Sequence, residues 1–126
     1  MSSPSDRRYT DSHEWFLLEG DVVTVGITKF AADELTDITY AEMKKPGTAV
    51  SAGQSIGEVE SVKTSSDVYS AVAGEIIEAN REVASDPSLI NADPFGKGWL
   101  VKLRTTDAGA LSGLMDHATY DSKYSA

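Results

Sequence analysis

The chain has 126 residues, with 11 Lys plus Arg against 20 Asp plus Glu, a net charge of −9 at pH 7, and no Cys. This length suits one domain with its own core. The missing thiols exclude disulfides, thiolate metal sites and Cys nucleophiles, so any sulfur redox chemistry must come from a bound group. The acidic balance argues against nucleic-acid phosphates and anionic lipid as partners. The N-terminus, MSSPSDRRYTDSHEW, carries no apolar leader segment, and nothing approaches the ~18 apolar residues of a membrane helix.

The elements follow mostly from period-two patterning. His13 to Leu18 and Val22 to Ile27 flank the Glu19-Gly20-Asp21 turn and read as a hairpin with Val23, Val25 and Ile27 on one apolar face. Thr28 can cap a short helix through Leu35. Strand character resumes over Ile38 to Met43, turns at Pro46-Gly47 and Ala52-Gly53, and continues from Ile56 to Val62. After a polar stretch, Thr64 to Asp67, further strands are predicted at Val68 to Val72 and Glu75 to Ala79. Asp86-Pro87 starts one helical turn, and Asn91 to Gly98 is a loop. Trp99 to Arg104 is the last strand; Asp107 then caps a helix bearing Leu111, Leu114 and Met115, and the tail from His117 is helical or frayed. Short strands with Gly-containing turns and a C-terminal helix indicate a small β sandwich or barrel with helical additions.

No zinc spacing, P-loop, dinucleotide fingerprint or EF-hand loop is present. His13 and His117 lie far apart in sequence; His13 reads as a strand-entry residue and His117 as a surface residue near a helix end, where a cation suits the dipole. Glu58 and Glu60 resemble a general acid/base pair, yet alternating Glu beside Val59 is better read as the solvent side of a half-buried strand. The unusual feature is Lys63. It is the single cation between Lys45 and Arg81, among Glu58, Glu60, Asp67, Glu75 and Glu78, and it falls between two strands at or near a hairpin tip. An exposed primary amine there can be acylated where Arg could not, and a tethered group would visit several sites at high effective concentration.

The segment GEVESVKTSSDVYSAVAG, Gly57 to Gly74, resembles the glycine cleavage H-protein family, in which the Lys of an E-S-V-K motif carries lipoate. YTDSHEW, VGITKFAADEL, NADPFGKGW and the C-terminal Leu-Met-Asp with Tyr120 match in the same order, so the resemblance covers roughly residues 9 to 120. It implies a mainly β barrel-sandwich hybrid of the hammerhead, lipoyl/biotinyl type, with N-terminal strands, short helices and a C-terminal helix. One lipoyl-carrier domain would span 1–126, with a core of about 9–115 and a helical tail of about 107–126. It implies a covalent N6-lipoyllysine at Lys63, no catalytic residues and no metal. The arm would take the aminomethyl group of glycine from glycine decarboxylase (P) to aminomethyltransferase (T) and be reoxidised by dihydrolipoyl dehydrogenase (L). Lipoylating enzymes are further partners, a monomer suits the shuttle, and the expected location is cytoplasmic, or the mitochondrial matrix for a mature eukaryotic chain.

Glu14, Ser12, Thr64 and Asp67 match family positions near a cleft for the cationic end of the loaded arm, where a carboxylate and hydroxyls can hold an ammonium. Glu14 is the leading candidate; as an ordinary residue it would be an exposed strand Glu. Three departures from the family pattern stand out: Thr36 where Gly is usual, Lys44-Lys45 before Pro46-Gly47, and Ala71 where Pro is usual. Thr36 asks a non-Gly residue to end a helix. The alternatives are an H-like paralogue that relays lipoyl groups to other proteins, a lipoyl or biotinyl domain of another complex, and an acidic hydrolase built on Glu58 and Glu60.

Overall fold

Two antiparallel sheets enclose the main core of the computed structural model, which describes residues 3–124. In chain order the elements are β1 (Arg8–Tyr9), β2 (Glu14–Glu19), β3 (Val22–Ile27), α1 (Lys29–Leu35), β4 (Ile38–Met43), β5 (Ala49–Val50) and β6 (Ser55–Ser61). They continue with β7 (Ser65–Tyr69), β8 (Gly74–Ala79), α2 (Arg81–Ser85), α3 (Ser88–Ala92), β9 (Val101–Arg104), a 3-10 turn (Ala108–Gly113) and α4 (His117–Lys123). The larger sheet has the order β1-β2-β3-β9-β8-β5 and the smaller β4-β6-β7. Phe16, Val23, Val25, Ile76 and Leu103 from the first meet Ile56, Val59 and Val68 from the second, while Ala32, Val83 and Ile90 bring α1, α2 and α3 onto the same core.

The predicted β2–β3 hairpin forms, but it is covered on both faces. Phe16 pairs with Val25 on the core side, where Leu18 opposite Val23 is exposed at the hairpin end, while Trp15 pairs with Gly26 on the other. Strand alternation therefore sends Trp15 into a second cluster with Tyr9 and Tyr120 of α4. The indole fits because position 26 has no side chain: a Cβ there would lie 2.5 Å from the ring. The Trp15 indole N–H donates to Ile27 O and Pro94 O, both at 3.0 Å, so the buried donor is satisfied. Trp99 packs only partly buried against this cluster.

Several boundaries move. The Thr64 to Asp67 stretch is mostly β7 rather than a polar connection, because Ser65, Ser66 and Asp67 pair with Glu60, Val59 and Glu58; ladder bonds override the low strand propensity of the serines. Two-residue strands β1 and β5 and helix α2 go beyond what periodicity marks; α2 is signalled only by its Asn80 cap, which accepts from Glu82 N at 3.0 Å. The predicted loop from Asn91 begins inside α3. The predicted helix after Asp107 is a 3-10 turn without a side-chain cap, in keeping with Gly109 and Gly113 in its span. Leu114 and Met115 lie outside it, and Met115 instead bridges Tyr9. The helical tail is α4, capped by Asp116, whose carboxylate accepts from Thr119 N at 2.8 Å; the last two residues of the predicted tail fall outside the described range. His117 opens α4, at the end where a cation opposes the dipole, contrary to expectation.

Thr28 caps α1 as predicted, accepting from Ala31 N at 3.2 Å. At the other end Thr36 adopts φ 63°, ψ −137°, a region costly for a β-branched residue. Replacing Thr36 with Gly relieves that strain while adding freedom to the unfolded chain, for a net gain of about 1 kcal/mol. A urea titration should show a higher midpoint for Thr36→Gly with an unchanged slope.

Candidate functional site

Lys63 stands at the turn between β6 and β7. Ser61 N donates to Thr64 O at 2.7 Å and closes the turn. The Ser61 hydroxyl oxygen lies inside it, accepting from Lys63 N at 3.1 Å and Thr64 N at 3.2 Å. The turn is closed by its own backbone and one serine, and Val62 N also donates to Asp37 O at 3.1 Å, so closing it does not require the Lys63 side chain. Val62, Lys63 and Thr64 are all exposed, Val62 at 67%. Among the described residues the Lys63 ammonium forms no ion pair with a carboxylate. Among the described residues it donates only to the Glu34 carbonyl at the end of α1, at 3.2 Å, a position where a cation suits the helix dipole. An acylated Nζ would keep one N–H to donate there.

Glu14 is not the exposed strand residue of the ordinary reading: it is 2% exposed. It opens β2 on the face that carries Phe16, and so points between the sheets. One carboxylate oxygen accepts from the Thr10 hydroxyl at 2.6 Å and the Ser12 hydroxyl at 2.5 Å. The other accepts from Tyr69 N at 3.1 Å. Three donors compensate the lost hydration of the buried carboxylate. Tyr69 ends β7, so Glu14 lies at the far end of the strand that begins at the lysine turn, ~17 Å from Thr64 by strand rise. Asp67 lies between them on β7, exposed and paired with Glu58. The structure therefore unites Ser12 and Glu14, puts Thr64 beside Lys63, and leaves Asp67 midway. Thr10 and the Tyr69 amide escaped sequence reasoning; the first carries only the signal of a polar turn, the second none.

A family model for the glycine cleavage H-protein matches residues 7–126. This chain belongs to the glycine cleavage H-protein family. A glycine cleavage system H protein of Thermus thermophilus is 48% identical over 120 residues, covering 95% of this chain and 94% of the relative. One from Acinetobacter baumannii is 42% identical over 121 residues, covering 96% and 98%. A crystal structure of a glycine cleavage system H protein from Mycobacterium marinum superposes with a TM-score of 0.87 at 39% identity, over 96% of this chain and 98% of that one. The fold is thus the barrel-sandwich hybrid expected from the hairpin motif, and membership in the H-protein family brings the role of lipoyl carrier in glycine cleavage.

Within this H-protein fold, Glu58 and Glu60 face solvent with Glu42 and Tyr40 across the ladder, as the half-buried strand reading requires. His13 occupies the β1–β2 turn at φ 69°, and its ring packs against Phe30 of α1 and Tyr124 beyond α4, both at 4.6 Å between centroids. Its Nδ1 lies 2.7 Å from the Tyr120 hydroxyl, which also meets the Thr28 hydroxyl at 2.7 Å. Burial pushes the His13 pKa below its usual value, against the opposing pull of Glu14, Asp11 and Glu34. Burial likewise pushes the Tyr120 phenol up to about 12, so the phenol stays protonated.

Two outcomes are expected. Glu14→Ala leaves two hydroxyls and an amide without their acceptor and should cost about 2 to 4 kcal/mol, whereas the exposed Glu60→Ala should change stability by less than about 0.5 kcal/mol; chemical denaturation of both variants measures the contrast. For His13, the folded pKa lies below the unfolded one. Both states are neutral well above about pH 6.5, and as pH falls the unfolded chain binds the proton first, so stability declines below about pH 6.5 until the folded imidazole also titrates. His13→Gln should flatten this part of the stability profile below about pH 6.5.

Proposed function

We propose that residues 1–126 work as one lipoyl-carrier domain of the glycine cleavage system, a substrate of its partner enzymes with no catalytic residues or metal of its own. Lipoate is held covalently as N6-lipoyllysine at Lys63. The observation that carries this reading is the position of Lys63: one exposed amine, without a carboxylate partner among the described residues, on a turn braced by Ser61. The donor chemistry fits, because a primary amine on an exposed stem is what an amide-forming enzyme requires. When bound, lipoate supplies the disulfide that takes up the aminomethyl group of glycine and, after its transfer, is left as a dithiol for reoxidation.

The chain's residues then divide the remaining work. Ser61 holds the tip from which the arm would depart, and Glu34 O, the acceptor of the free amine, would be placed for the one N–H an acylated Nζ retains. Glu14, with Ser12 and Thr10 around its carboxylate, would offer an anionic station to a cationic group carried on the arm. Asp67 and Thr64 lie between that station and Lys63. The partners are glycine decarboxylase P protein, aminomethyltransferase T protein, dihydrolipoyl dehydrogenase L protein and lipoylating enzymes, met by a monomer in the cytoplasm. Among the described residues no helix is long and apolar enough to cross a membrane.

Intact-mass and peptide analysis of the protein from its native host should find one lipoyl group, on Lys63. Lys63→Arg should remove it and abolish glycine decarboxylation reconstituted with cognate P, T and L proteins. A biotinyl adduct, or lipoate on another lysine, would overturn the reading; full lipoylation without turnover would favour a paralogue that serves other proteins.

A further inference from the structure

We propose that Asn91 is a positioning residue for the lysine-bearing turn, acting through the connector between α1 and β4. The side chain of Asn91, from α3, grips that connector on both sides of Asp37. Its Nδ2 donates to Thr36 O at 2.7 Å and its Oδ1 accepts from Ile38 N at 3.0 Å. The connector in turn meets the turn, with Asp37 O accepting from Val62 N at 3.1 Å, and beside it Glu34 O at the end of α1 accepts from Lys63 Nζ at 3.2 Å. Two side-chain bonds from Asn91 and one backbone bond from Val62 thus link α3 to the lysine turn.

Three features separate this from ordinary packing. Asn91, Thr36, Asp37 and Val62 are all exposed, so the contacts bury little apolar surface and contribute through geometry. The two bonds of Asn91 flank one residue, which fixes the direction of the Asp37 carbonyl. Thr36 holds φ 63° with a β-branched side chain, so a connector released by Asn91 would relax away from this backbone and carry the Asp37 carbonyl off Val62. An enzyme that docks on the turn to acylate Lys63 then meets a preorganised tip, and the ordering cost is met within the fold rather than on binding. Asn91 touches neither the amine nor its acyl group.

This inference rests on Lys63 being the acylated residue, and its test has a readout that does not. Amide hydrogen exchange of Val62 in Asn91→Ala should be at least about tenfold faster than in the wild type, while core amides of β3 and β9 keep their protection. With a lipoate ligase, free lipoate and ATP, Asn91→Ala should raise KM for the carrier about tenfold with kcat within about twofold, as lost preorganisation predicts. Adding Thr36→Gly should reverse both effects, because Gly adopts the connector's backbone without help. Asn91→Asp, which keeps the acceptor for Ile38 N, should fall between and serves if the Ala variant folds poorly. Unchanged Val62 exchange in the Asn91 variants overturns the proposal, as does an exchange or KM effect that Thr36→Gly fails to reverse. If the wild type is acylated elsewhere, the carrier reading falls, and Val62 exchange still decides the clamp.

Discussion

The Tyr69 amide donating to the buried Glu14 carboxylate is the contact on which the working geometry turns, because it joins the two sheets where the lysine hairpin ends. β7 is an edge strand of the smaller sheet, and an edge presents unpaired backbone groups. Capping one of them with a carboxylate from β2 fixes the hairpin's base to the larger sheet and satisfies that edge donor. The same carboxylate gathers Thr10 and Ser12 around it, so the link between sheets and the anionic station proposed for the arm are one structure. If Glu14 serves the arm as proposed, stability and carrier function are coupled through it, and a variant there would affect both.

The outer face of the smaller sheet works in the opposite sense. Glu42, Glu58 and Asp67 stand in one cross-strand row, and Tyr40, Glu60 and Ser65 in the next. Like charges in register destabilise a sheet, and among the described residues no ion pair involves these acids. The net charge of −9 therefore has a local focus beside the turn. Acylation of Lys63 would remove the one cation between Pro46 and Asn80, taking that stretch of one Lys and five acids from −4 to −5. A partner with a basic rim would be steered to such a face over distances up to a Debye length of about 8 to 10 Å.

Much of this was legible in the sequence where local chemistry acts alone. The β2–β3 hairpin, the Thr28 cap and the lone cation at a hairpin tip follow from alternation, a hydroxyl before a helical run and a count of charges. The family motif around Lys63 supplied the barrel-sandwich fold. What periodicity missed depends on partners distant in the chain. β7 is a strand because β6 is beside it, although Ser65 and Ser66 are poor strand formers. The second face of the hairpin is buried because α4 returns from the far end of the chain to lay Tyr120 on Tyr9, with ring centroids 4.9 Å apart. Glu14 reads as a surface residue because its three donors come from a turn and from the backbone of a strand 55 positions away, and a backbone amide leaves no trace in composition.

The two non-glycine residues with positive φ, among those described, are His13 and Thr36, and both border the carrier site. His13 turns the chain immediately before Glu14; Thr36 turns it immediately before Asp37, whose carbonyl meets Val62 N. Each is held by a side chain from an element outside the small sheet: Tyr120 of α4 bonds the imidazole, and Asn91 of α3 grips the carbonyl of Thr36. Strained residues persist where surrounding contacts over-determine them. Here those contacts come from helices added around the sheets, which gives α3 and α4 a role beyond covering the core: they fix two turns of backbone between which the arm of the proposed carrier would swing.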